Sequence, residues 1–139
     1  MNAQKVELWS VTVEDKPGAL AKILKGFADT KINLEVILAR REPDKPGQGM
    51  VLIGPIRGKK AAATAEAAGF KKVEGMYVVR VEGVDKPGLG SVIADKLGSQ
   101  GINMRELDAM VIGRRFACYI VFDSERDVAK ALRVLRKLG

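Results

Sequence analysis

From Lys5 to Val13 apolar and polar positions alternate with a period of two. Val6, Leu8, Ser10 and Thr12 fall on one side, and Glu7, Trp9, Val11 and Val13 on the other. The Val, Thr and Trp content favours a strand there. Asp15-Lys16-Pro17-Gly18 breaks the alternation. Leu20, Ile23, Leu24 and Phe27 then follow at i, i+3, i+4 and i+7, the apolar stripe of a helix. Proline suits the first helical position because the N–H it lacks would have no partner there. This helix is predicted to end near Thr30. Ile32 to Ala39 and Gln48 to Ile53 read as strands, joined by a loop rich in Pro and Gly. Lys59 to Ala68 is alanine-rich and predicts a helix, with Gly69 placed to stop it. Phe70 to Glu74 reads as a short last strand. The order β-α-β-β-α-β is that of a ferredoxin-like fold, an α+β class with an antiparallel sheet covered by helices on one face.

The pattern then starts again. Asp15-Lys16-Pro17-Gly18 recurs as Asp85-Lys86-Pro87-Gly88, and Lys31-Ile32-Asn33-Leu34 as Gly101-Ile102-Asn103-Met104, both at the same offset and without a gap. Ile23 matches Ile93, and Phe27 matches Leu97. Two signatures in register over a shared apolar pattern indicate a duplicated module. The expected division is 1–74 and 75–139, with Gly75 at the junction. The second copy predicts a strand at Met76 to Val84, a helix at Leu89 to Ser99, a hairpin of Asn103 to Ile112 with Arg114 to Asp123, and a helix from Glu125 to Leu138 capped by Ser124. It has no fourth strand of its own. A third Asp-Lys-Pro-Gly, Asp44 to Gly47, precedes no amphipathic helix and reads as a hairpin loop. Its Pro46-Gly47 suits the centre of a type II turn.

Composition narrows the chemistry. The chain of 139 residues contains no histidine and one cysteine. A Ser-His-Asp or Cys-His site is therefore excluded within the chain, and no catalytic residue, cofactor or metal site is expected. Cys118, in an alternating apolar run, reads as a small buried hydrophobe. Trp9 reads as a core or interface residue, and Met76, Met104 and Met110 are not clustered like a soft-metal site. No apolar run is long enough for a transmembrane helix, the first residues do not resemble a signal peptide, and a cytoplasmic protein is the expectation. The net charge is +7, but it is spread evenly. Residues 1–70 carry 11 basic and 8 acidic groups, and residues 71–139 carry 13 and 9. This reads as a solvated mixed surface rather than a nucleic-acid footprint.

The strand followed by Asp-x-Pro-Gly-x-Leu at a helix start, and then Gly-Ile-Asn at the entry to the second strand, resembles the ACT domain family. The first copy has Asp15-Lys16-Pro17-Gly18-Ala19-Leu20 and Lys31-Ile32-Asn33. The second has Asp85-Lys86-Pro87-Gly88-Leu89-Gly90 and Gly101-Ile102-Asn103. Position 31 is Lys where the motif prefers Gly, and position 90 is Gly where it prefers Leu. The two copies cover nearly the whole chain, which resembles a stand-alone tandem pair with no catalytic domain attached. The resemblance implies a regulatory module that binds a small amino acid, commonly between paired domains, with motif positions among the contacts.

A zwitterion needs donors at one end and acceptors at the other. The helix starts offer free N–H groups at Gly18, Ala19 and Leu20, and at Gly88, Leu89 and Gly90. Asp15 and Asp85 offer an acceptor for the ammonium, and Asn33 and Asn103 offer both donor and acceptor. Each Asp is expected near the Asn of its own copy or of a paired domain. Structural roles stand beside these: either Asp can cap its helix, and either Asn can occupy a left-handed turn position.

Three functions follow in order: a non-catalytic amino-acid-binding regulator, a regulatory subunit for a separately encoded enzyme, and an RNA-binding ferredoxin-like module. The third needs exposed aromatics on the central strands, and Tyr119 is the only obvious candidate. A membrane partner is not expected. A homodimer is expected because the strand Met76 to Val84 would otherwise be an open apolar edge. That edge could pair with Phe70 to Glu74 or with the same edge of another chain.

Overall fold

The computed structural model describes all 139 residues and divides into two compact units. One is Glu7–Glu74. The other joins Met1–Val6 to Gly75–Gly139. Against the division expected at 1–74 and 75–139, the first six residues thus fall with the second unit. The alternating run predicted as one strand from Lys5 to Val13 is two strands, β1 (Asn2–Val6) and β2 (Trp9–Glu14), and they lie in different sheets.

The first unit contains β2, α1 (Ala19–Asp29), β3 (Val36–Arg41), β4 (Gln48–Gly54), α2 (Gly58–Ala67) and β5 (Lys71–Lys72). Its antiparallel sheet has the order β3-β4-β2-β5. Alternate residues of the central strands, Trp9 with Ile53 and Val11 with Val51, point to the helices and form the core with Phe27, Ala65 and Phe70. The Phe27 and Phe70 rings meet edge to face, with centroids 5.9 Å apart. Such a pair is worth about 0.5–1.5 kcal/mol beyond its area. The decoy Asp-Lys-Pro-Gly is a hairpin turn: Gly47 has φ +81° and Gln48 N–H donates to Lys45 O at 3.1 Å, a type II geometry.

The second unit contains β1, β6 (Tyr77–Val84), α3 (Leu89–Ser99), β7 (Glu106–Ile112), β8 (Arg115–Phe122) and α4 (Glu125–Leu135). Ser124 caps α4, accepting from Asp127 N–H at 3.1 Å. The sheet order is β1-β6-β8-β7, the order of the first sheet with β1 in the place of the missing fourth strand. β1 pairs antiparallel with β6 from Asn2↔Glu82 to Val6↔Val78, and Ala3 is buried in the core beside Val81. The β6 edge is therefore closed within the chain. Neither Phe70 to Glu74 nor a second chain is its partner; β5 pairs with β2 instead. Closing the edge removes a row of unpaired backbone groups and buries Ala3, which a solvent-exposed N-terminal tail would not do. Ile93, Leu97, Ile120, Phe122 and Leu135 fill the core between sheet and helices, each contributing about 1.5–3 kcal/mol of burial.

The Lys-Ile-Asn and Gly-Ile-Asn signatures are helix stops. After α1, Lys31 N–H donates to Ala28 O at 3.1 Å and Ile32 N–H to Phe27 O at 2.9 Å. After α3, Gly101 N–H donates to Gly98 O and Ile102 N–H to Leu97 O, both at 3.0 Å. This crossed pair of bonds is the Schellman motif. The residue after the cap is left-handed, and the next one packs back on the helix. The left-handed residues are Lys31 (φ +57°) and Gly101 (φ +71°), so the turn position proposed for Asn33 and Asn103 lies two residues earlier.

Candidate ligand-binding site

Each module's helix start is built alike. Gly18 (φ +84°) and Gly88 (φ +83°) are left-handed and immediately precede α1 and α3. No atom lies within 4 Å of where a Cβ would stand at either position, so the backbone angle, not crowding, calls for glycine. Ala19 N–H donates to Lys16 O and Leu89 N–H to Lys86 O, each at 3.3 Å. Those two amides close the turn. In the first module the Leu20 amide, one residue further on, is left as the donor of the expected set beside Gly18.

Around the first helix start are two hollows. One, of about 300 Å³, is lined by Asp15, Ala19 and Leu20 and, from the opposite wall, by Arg41 and Met50. The other, of about 980 Å³, opens between α1 and α2 and is lined by Gly18, Ala19, Lys22, Gly26 and Thr64. The Asp15 carboxylate accepts from Arg41 Nε at 2.8 Å. It is held by a cation across the smaller hollow rather than by capping the helix. Lys16 Nζ stands 2.7 Å from the Glu14 carboxylate. Their hydrogen bond, helped by the charge attraction, keeps Glu14 below and Lys16 above their usual titration ranges. Lys16 is thus engaged locally.

The second helix start differs. A hollow of about 450 Å³ is lined by Asp85 and Leu89 with Met1, Val84, Val92 and Leu138. Asp85 N–H donates to Arg114 O at 2.8 Å, as Asp15 N–H donates to Gly47 O at 3.0 Å in the first module. Leu89 is buried, whereas Gly88 and Gly90 are exposed and line no part of this hollow. At the repeat offset, Arg40 and Arg41 of β3 become Met110 and Val111 of β7. The second module therefore has no guanidinium at the position from which Arg41 faces the first helix start.

The structure separates the two halves of the expected site within each module. Asp15 and Asn33 stand at opposite ends of α1, and Asp85 and Asn103 at opposite ends of α3. A helix of 11 residues is about 16 Å long. Both asparagines are exposed and line none of these hollows. Arg41 is the residue that sequence reasoning passed over. The available signal was its replacement by Val111 in the second copy.

The ACT domain family matches residues 10–65. No curated protein matches the sequence. Among solved structures, a protein of Bacteroides thetaiotaomicron superposes with a TM-score of 0.76 at 17% identity, over 96% of this chain and 90% of that one. The regulatory subunits of aspartate kinase from Thermus thermophilus and Thermus flavus superpose with TM-scores of 0.62 and 0.61 at 16% and 17% identity. The first covers 99% of this chain and 96% of its own, the second 98% and 94%. At these identities the likeness is one of fold. Residues 10–65 are therefore similar to the ACT domain family, and a second module of the same ferredoxin-like fold follows with the same pair of signatures.

Proposed function

We propose that this chain is a non-catalytic regulatory protein that senses a small amino acid, with the first module as the principal site. The observation that carries the reading is the Asp15–Arg41 pair across the smaller hollow at the start of α1. A zwitterion can divide that pair. Its ammonium takes over the Asp15 carboxylate, and its carboxylate takes over the Arg41 guanidinium and the Leu20 amide. The pair is exposed on the Arg41 side, so parting it costs little. At the second helix start, Asp85 keeps the acceptor while the wall, Lys86 apart, is mostly apolar, which favours a ligand with a larger hydrophobic side chain. The regulated output is a separately encoded enzyme of amino-acid metabolism. The regulatory subunits of aspartate kinase named above support this reading.

The chain acts as a homodimer in this proposal, and the edge that pairs is β7. It is the end strand of its sheet, and Leu107, Met110, Val111 and Ile112 on it are exposed. An apolar edge of this kind invites strand pairing.

The test is calorimetry with each of the twenty amino acids, preceded by a thermal-shift screen. One or a few should bind at micromolar to millimolar affinity, about 4–8 kcal/mol. Asp15→Ala and Arg41→Ala should each weaken the first site, and Asp85→Ala the second, with the fold intact. Unchanged affinity in all three variants removes these residues from the site.

A further inference from the structure

The helix layer of the second unit carries a groove of about 380 Å³ between α3 and α4, with Lys96, Lys130, Arg133 and Lys137 around it and Val134 and Leu138 at its floor. Lys96 and Lys130 are distant in sequence, which is why an even count of charge along the chain conceals the cluster. The ion pairs Lys5–Glu125, Arg80–Glu82 and Arg105–Asp123 of this unit involve none of the four groove cations. Residues 128–139 contain Lys130, Arg133, Arg136 and Lys137 and no Asp or Glu.

The fold does not require this charge. The corresponding face of the first unit, between α1 and α2, is lined by Gly26, Thr64, Ala67 and Ala68, and its basic side chains, Lys16 and Lys22, are matched in number by the acidic Glu14 and Asp29. Helix dipoles favour a cation in the last turn, which accounts for Lys96 in α3 and Arg133 in α4. They do not account for the convergence of four cations from two helices on one groove.

We propose that this groove docks an acidic segment of a partner protein, helical and carrying carboxylates along one face beside an apolar residue. Lys130, Arg133 and Lys137 lie at i, i+3 and i+7, spread over about 10 Å of helix axis. That span suits successive carboxylates of a helix better than a single phosphate. The cations sit within and beyond helices, so no run of free amides forms a phosphate cradle. No aromatic side chain lines the groove to stack a base. The partly buried Val134 and Leu138 offer an apolar seat that a bare polyanion would not use. The surface shares no residue with the first helix-start site and only Leu138 with the second, so this proposal does not depend on which amino acid binds at the first.

The experiment measures fluorescence anisotropy of a labelled helical peptide with Glu on one face and Leu beside it. Its competitors are a scrambled peptide of the same composition and poly(U) RNA, and the full chain is used at about 150 mM salt, where diffuse charge is screened. Lys130→Glu/Lys137→Glu should weaken the patterned peptide by at least about tenfold. Lys59→Glu/Lys60→Glu, the same charge change on α2, should alter it less than about twofold. Lys130→Gln/Lys137→Gln should give an intermediate loss, with unchanged far-UV circular dichroism confirming the fold. Equal losses in the two Glu variants, equal binding of the scrambled peptide, preferential binding of poly(U), or no peptide binding would each overturn the proposal. Amino-acid binding at the first helix-start site, read by calorimetry on Lys130→Glu/Lys137→Glu, should be unchanged, so failure here is distinguishable from failure of the sensing role.

Discussion

Lys31 and Gly101 occupy the same left-handed position after α1 and α3, which makes the chain its own double experiment. Lys31 holds φ +57° at a Schellman cap whose two bonds match those around Gly101 in partners and length. An L-residue with a Cβ is less stable there than glycine by about 1–2 kcal/mol. Against this, glycine raises the entropy of the unfolded chain, at a cost of about 0.4–1 kcal/mol. The Lys31 side chain is exposed and removes little on deletion. Lys31→Gly should therefore stabilise the first unit by about 0.5–1 kcal/mol, or roughly 2–4 °C in Tm for a chain of this size. The reverse change should have the opposite sign. No atom lies within 4 Å of the Cβ position at Gly101, so Gly101→Lys adds no clash and should destabilise the second unit by a similar amount. Urea titration followed by far-UV circular dichroism, with the slope checked for constancy, reads both values. If the two variants shift stability in the same direction, or if Lys31→Gly destabilises, the left-handed cap is not what limits this position.

Removing residues 1–6 should reopen the β6 edge. Amide exchange across Val78 to Glu82 should accelerate strongly, and Ala3→Asp should cost about 3 kcal/mol or more by placing an unpaired carboxylate where Ala3 is 2% exposed. Gly54→Ala should cost about 1–3 kcal/mol in a denaturation curve, because its Cβ would stand 2.4 Å from Leu8 Cδ2 and 3.0 Å from Glu7 O. Burial pushes the Cys118 thiol from 9.0 up to about 12. Above the unfolded value the unfolded state binds fewer protons, so stability should fall as pH rises from about 9 towards 12, and Cys118→Ala should flatten that fall. Light scattering at micromolar concentration should give a dimer mass that Val111→Lys on β7 reduces to a monomer.

Much of the architecture is legible in the sequence because its signals are local. A change of period from two to 3.6, a Pro at a helix start and a Gly at its end act within one or two turns. The four helices, the duplicated helix starts and the hairpin at Pro46-Gly47 follow from them. The Asn residues illustrate the limit of that reading: their motif neighbours build a cap, and the helix length carries them to the end opposite Asp15 and Asp85. Tertiary structure alone decided which sheet each half of Lys5 to Val13 joins. An alternating strand serves either sheet equally well, and the choice rests on an open edge at β6, some 75 residues away. The pairing of Asp15 with Arg41 and the gathering of Lys96 with Lys130 and Lys137 are of the same kind. Such meetings depend on strand order and helix packing, which bring together residues whose separation along the chain carries no trace of their proximity.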